Sequence, residues 1–256
     1  MNSKYIYRYV SAKTAKATIA SQAFKVSNPS ALNDPFEFAT IDNSTGSDET
    51  QARIRSYRKE IARKLGFVCF SKVEPKSLNS ILLWSHYGDE CKGVCLAFDK
   101  SVLSQALRWQ DISTNDGRII PSYPYEVAYS KLRADMQITS PSPSSLQEFC
   151  LTKSLAWEYE EECRAFYPVE KEFPTFFSND SHTNTNYYVA NRARLVNFPR
   201  EALVKIFFGS EYPRAQPLDN TQDDLINLLK KEHYWNDSFG VFLEIHPKNF
   251  EFEEII

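Results

Sequence analysis

Glycine is scarce in this chain, 7 residues in 256, and no two glycines sit two apart. That spacing excludes the GxGxxG turn of a Rossmann-type dinucleotide site, and no P-loop is present either. A nucleotide ligand would need a scaffold that holds it without a glycine-rich loop. Long apolar runs are missing too: no stretch reaches about 18 apolar residues, and the opening MNSKYIYRYVSAKTAKATIA has no apolar signal core. The expectation is a soluble, cytoplasmic protein without membrane contact. Cysteines are few and odd in number (Cys69, Cys91, Cys95, Cys150, Cys163), with no CxxC pair, and His86, His182, His233 and His246 are scattered. They read as buried thiols of a reducing compartment, and no structural zinc site is expected. A strong charge of one sign is absent: the net charge of −3 argues against a basic nucleic-acid coat protein.

Aromatic residues, by contrast, are plentiful, with 18 Phe, 14 Tyr and 4 Trp. At 42% hydrophobic and 25% charged the chain can bury a substantial core, and no shift in composition divides it. The expectation is one α+β domain over residues 1–256, with a mixed central sheet flanked by helices. Tyr5–Val10, Phe67–Phe70, Gly93–Phe98, Leu203–Phe208 and Gly240–Ile245 read as strands. Ala12–Ala20 and 222–232 read as helices, the latter opened by Thr221 and Asp224 as a capping box. Residues 51–65 form an amphipathic pattern with Ile54, Tyr57, Ile61 and Leu65 on one face and basic residues around the rest. A helix is expected over 78–87. In 157–167 the alternation predicts a strand with Glu158, Glu160, Glu162 and Arg164 on one face.

Three places can carry chemistry. The acidic face of 157–167 packs carboxylates beside Arg164, which suits acid–base work or stabilisation of a cationic intermediate. The same pattern also describes a solvated strand face with a salt bridge. Asn33 and Asp34 before Pro35 make a turn whose side chains cap backbone amides or line a pocket beside the first strand. Trp84, His86 and Tyr87 put two aromatics and an imidazole within four residues, able to stack a planar ring or simply to fill the core. No Ser/His/Asp triad is marked.

The blocks YIYRY (5–9), FKVSNPSALNDPFE (24–37), FVCFS (67–71), LLWSHYGD (82–89), KGVCLAF (92–98) and KSLAWEYEEECR (153–164) together resemble the bacterial family known as domain of unknown function 2971, over roughly residues 5–210. The order of elements is also similar to the ADP-ribosyltransferase arrangement, which binds NAD in a split sheet. That likeness implies Arg8, with Tyr7, on the first strand gripping NAD, Phe70–Ser71 as the second motif, and Glu160 or Glu162 stabilising the ribosyl transition state, with a slight lean to Glu162. It further implies Trp84 or Tyr87 against the nicotinamide, Arg8 and Arg164 on the diphosphate, and Asn33, Asp34 and His86 near the ligand. Ser71 is followed by Lys72 and Val73, so the Ser-Thr-Ser signature of many such enzymes is missing. The resemblance implies NAD as substrate, RNA, DNA or protein as acceptor, and a toxin or phage-defence role with an antitoxin or chaperone partner. The competing expectations are a non-enzymatic binding module, and a metal-dependent hydrolase or nuclease using Asp34 and Glu37 beside Glu160 and Glu162.

Overall fold

A computed structural model describes residues 3–28, 65–107, 124–131, 150–168, 195–212, 221–232, 239–245 and 252–255, with a few positions between, among them Asp34, 112–113 and 119–120. Its centre is an eight-stranded sheet. In chain order the strands are β1 (Tyr5–Val10), β3 (Leu65–Ser71), β4 (Val94–Asp99), β7 (Tyr125–Glu126), β10 (Glu162–Pro168), β12 (Leu203–Phe208), β13 (Gly240–Ile245) and β14 (Phe252–Ile255). In space they run β14-β13-β12-β4-β1-β3-β10-β7. Only β12 and β13 pair in parallel within that sheet, so it is mixed. Short pairs lie outside it: β2 (Ala23–Lys25) with β11 (Leu195–Asn197), β5 (Ile112–Ser113) with β6 (Ile119–Ile120), and, in parallel, β8 (Ala128–Ser130) with β9 (Thr152–Ser154). Helices and sheet together make the expected α+β class.

Both faces of the sheet are covered, which is why β4 reads as an apolar run from Val94 to Phe98, closed by Asp99, with all six residues buried. On one face Ile6, Phe70, Phe98 and Phe208 pack against Ala15 and Ile19 of α1 (Ala12–Ser21) and Leu225 and Leu229 of α4 (Thr221–Lys231). On the other, Tyr7, Tyr9, Cys95 and Phe207 meet Leu83 and Trp84 of the short helix α2 (Ile81–His86), which follows a 3-10 turn at Leu78–Ser80. The third sequence-local helix, α3 (Lys100–Leu107), follows β4 directly and is capped by Asp99. The expected strands 5–10, 203–208 and 240–245 are found with those bounds. Of the expected helix at 51–65 the described residues include Ala52, which is helical, and Leu65, which instead starts β3; the rest lies outside them.

One expectation is corrected. Residues 157–167 are not one strand: Leu155–Glu160 form a 3-10 helix, Glu161 turns left-handed at φ 41°, and β10 starts only at Glu162. Ser154 caps that turn, its hydroxyl accepting the Ala156 amide at 3.4 Å, and thereby starts a helical path that period-two reading misses.

The split is the feature that positions the site. β1 pairs with β4 along its length and β3 with β10 along its length, yet β1 and β3 meet at a single pair, Tyr7 with Ser71. Continued pairing would set Arg8, Tyr9 and Val10 opposite Phe70, Cys69 and Val68. Instead the chain after β2 bridges to β3 further along, between Ser27 and Phe67, with backbone bonds of 2.8 and 2.9 Å. A gap in the sheet is left between those two points.

Candidate functional site

A cavity of about 320 Å³ opens at this gap, lined from β1, β3 and β10 and by Tyr87 and Lys153 from outside the sheet. Strand alternation decides what each residue presents. Glu162 pairs with Ser71 and Arg164 with Cys69, so these four share the face of Tyr7 and Tyr9. Arg8 belongs to the opposite face with Ile6 and Val10, its guanidinium 5.3 Å from the Phe24 ring. It reaches the cavity at the gap between the strands. Its Nη1 is sealed from solvent without a hydrogen-bond partner among the described residues, and burial lowers its pKa from the usual guanidinium value.

The acidic end of the cavity is a chain of four buried charges. Arg164 donates from Nε to Glu162 Oε1 and from Nη2 to Oε2, both at 2.8 Å, and from Nη1 to the Cys150 carbonyl at 2.9 Å. Lys153 donates to Glu162 Oε2 at 3.1 Å and to Glu160 Oε2 at 2.5 Å. The Tyr87 hydroxyl donates to Glu160 Oε1. Burial alone would raise the Glu162 carboxyl. The charge and hydrogen bonds of Arg164, with Lys153 behind them, outweigh it and hold the group down to about 2. The Glu162 amide bonds the Tyr129 hydroxyl at 2.7 Å, and the Ser71 hydroxyl donates to the Glu160 carbonyl at 2.6 Å while accepting the Val73 amide at 3.0 Å.

Two backbone features aim these groups. The left-handed turn at Glu161 swings Glu160 back onto the face of Glu162, so the two carboxylates meet although only one is in the strand. α2 is held by a second turn in which Asp89, Glu90 and Cys91 all have positive φ, and the Cys91 carbonyl accepts the Glu211 amide at 3.0 Å. Gly209 is needed there, because a Cβ on it would sit 2.1 Å from the Cys91 oxygen.

Residues 83–165 match the model of a family described as a protein of unknown function, DUF2971. No curated protein and no solved structure gives a match. The matched stretch carries Tyr87, Lys153, Glu160, Glu162 and Arg164, and leaves out Arg8 and Ser71 on β1 and β3. The DUF2971-like segment therefore supplies the acidic half of the cavity.

Of the residues singled out in the sequence, Tyr7, Arg8, Ser71, Tyr87, Glu160, Glu162 and Arg164 come together on this cavity. Trp84 does not. It is fully buried beneath α2, its Nε1 bonded to the Pro75 carbonyl at 2.9 Å and its ring edge-on to Tyr9, so it packs the core and cannot stack a ligand. His86 is exposed and bonded through Nδ1 to the Tyr159 hydroxyl at 2.9 Å, away from the cavity lining. Arg164 is spent on Glu162 and Cys150, which removes it as a diphosphate ligand. Asp34 is buried, and Asn33 and Glu37 lie outside the described residues. Among the described residues no three His, Cys, Asp or Glu side chains are grouped to hold a metal. Lys153 and Tyr129 were missed. The available signal for Lys153 was charge balance, since a run of glutamates with one arginine calls for a further cation if it is buried.

Proposed function

We propose that the cavity binds NAD and cleaves its nicotinamide–ribose bond, passing ADP-ribose to an acceptor. The observation that carries this reading is the convergence, at a gap in the sheet, of an arginine whose buried Nη1 has no partner among the described residues with Tyr87 and with a carboxylate pair more than 150 positions later in the chain. NAD carries phosphate on one side of the reacting riboside and a cationic ring on the other, charges that a cavity lined by both Arg8 and Glu160 complements. A cavity of about 320 Å³ is at the small end for ligand sites and suits the nicotinamide–ribose half of the molecule.

In this reading the C–N glycosidic bond breaks, nicotinamide leaves with the electron pair, and the ribose carbon gathers positive charge. A carboxylate held ionised in a dry site stabilises that charge. Glu160 fits this role better than Glu162, because both Glu162 oxygens are committed to Arg164. Ser71 fixes the backbone of Glu160, and Arg8 offers Nη1, which has no partner among the described residues, to phosphate. The acceptor nucleophile then bonds the ribose carbon and gives up its proton.

A second reading, a non-enzymatic anion-binding module, is favoured by the closed chain Glu160–Lys153–Glu162–Arg164, which also describes a purely structural network with Arg8 as the sole ligand group. Nicotinamide release from labelled NAD, offered RNA, DNA or cell lysate, separates the two. Release that Glu160→Gln abolishes while the protein stays folded supports the transferase, and the label marks the acceptor. A melting shift with NAD but no release supports the module. Neither release nor shift sinks both.

A further inference from the structure

We infer that Lys153 is a positioning residue of this site, an ammonium that holds Glu160 and Glu162 side by side in charged form. The inference deepens the transferase reading and rests on it for its catalytic consequence, but not for the charge balance itself.

Lys153 stands on β9 in register with Tyr129 of β8, so this short parallel pair brings two groups onto the same strand end: Tyr129 to the Glu162 amide and Lys153 to both carboxylates. The ammonium is buried, and Nζ lies 4.8 Å from the centre of the Trp157 ring. Arg164 answers the charge of Glu162 through both of its oxygens. Among the described residues Lys153 is the cation that answers Glu160. Removing it would leave two buried carboxylates that now share one ammonium, with Arg164 on Glu162, and such a pair lowers its energy by taking up a proton. Geometry adds to charge. Lys153 holds the Oε2 atoms of both glutamates, which leaves Glu160 Oε1, with Tyr87, as the edge turned to a ligand. A protonated Glu160 would lose the charge that the proposed reaction needs.

The test uses Lys153→Met, Lys153→Arg and the double variant Lys153→Met with Glu160→Gln, each checked by near-ultraviolet circular dichroism. Infrared absorption of protonated carboxyl groups is followed between about pH 4 and pH 8. Lys153→Met should gain one protonated carboxyl near neutrality, absent from Lys153→Arg and lost again in the double variant. With NAD as probe, the acid limb of nicotinamide release should move up by about 1–3 pH units in Lys153→Met and return in Lys153→Arg. An infrared titration of Lys153→Met identical to that of the parent protein overturns the inference. Should Lys153→Met fail to fold, the double variant decides: it regains a cooperative melt if charge is the cause, and an equal failure assigns Lys153 to packing and overturns the proposal. If the carboxyl appears as expected but no form of the protein releases nicotinamide, the charge balance stands and the transferase reading falls.

Discussion

Replacing Arg164 by Met tests whether the chain of four charges holds the site together. The substitution keeps much of the buried stem and deletes three donated bonds, two to Glu162 at 2.8 Å and one to the Cys150 carbonyl at 2.9 Å. Breaking a buried pair by removing one partner costs about 3–5 kcal/mol, because the remaining charge is stranded. Lys153 still touches Glu162 at 3.1 Å, which puts the expected loss near the low end, about 3 kcal/mol. The Glu162 carboxyl points the same way: against the cost of burial, Arg164 and then Lys153 hold it down to about 2. Urea unfolding at neutral pH, followed by tryptophan fluorescence, measures it. The sign with pH is fixed as well. A carboxyl depressed on folding stabilises above its unfolded value of 4.5, and that stabilisation drains away as the pH falls from there toward about 2. The Arg164→Met protein should show a flatter acid limb over that window. Combining it with Glu162→Gln should cost less than the two single losses added, since the stranded charge is gone. A loss under about 1 kcal/mol, or losses that add within about 0.5 kcal/mol, would refute the reasoning.

Arg8→Met should leave stability unchanged or raise it, since it removes a cation whose buried Nη1 has no partner among the described residues, while weakening NAD binding at least about tenfold; melting curves with and without NAD read both effects, and a stability loss above about 1 kcal/mol would show that the guanidinium is structurally paired. Asp99→Ala should cost about 1 kcal/mol, because Asp99 Oδ1 accepts the Ser101 amide at 2.9 Å and the Val102 amide at 3.2 Å at the start of α3. Hydrogen bonding from the Ser101 hydroxyl lowers the Asp99 carboxyl, so this contribution is present at neutral pH and is lost on acidification, which thermal melts at two pH values will register. Gly209→Ala forces a Cβ to within 2.1 Å of a backbone oxygen and should destabilise by about 3 kcal/mol or more, seen as lost soluble yield; a melt like that of the parent protein would contradict the close approach.

The elements that were readable in the sequence are strands rich in apolar and β-branched residues. β1, β4, β12 and β13 each carry at most one charged side chain, because both faces of the central sheet are largely covered, and a segment of that kind announces itself without any partner. The acidic segment was not readable in the same way. Its glutamates alternate with apolar residues over 157–164, which imitates a strand, yet Ser154 starts a 3-10 turn and Glu161 ends it left-handed. Glu160 and Glu162 still meet, by a turn rather than by alternation, while Glu158, expected on the same face, is exposed and off the cavity. Lys153 escaped notice because a lone lysine beside a serine looks like surface, and its burial is decided by β8, which is more than twenty residues earlier. The meeting of Arg8 with the glutamates depends on strand order alone: β1, β3 and β10 are neighbours in space and far apart in the chain. What a local pattern cannot specify is the place where two neighbouring strands decline to pair. That gap, between Tyr7 with Ser71 at one end and Ser27 with Phe67 at the other, makes the cavity, and the side chains around it acquire a role only because the ladder stops there.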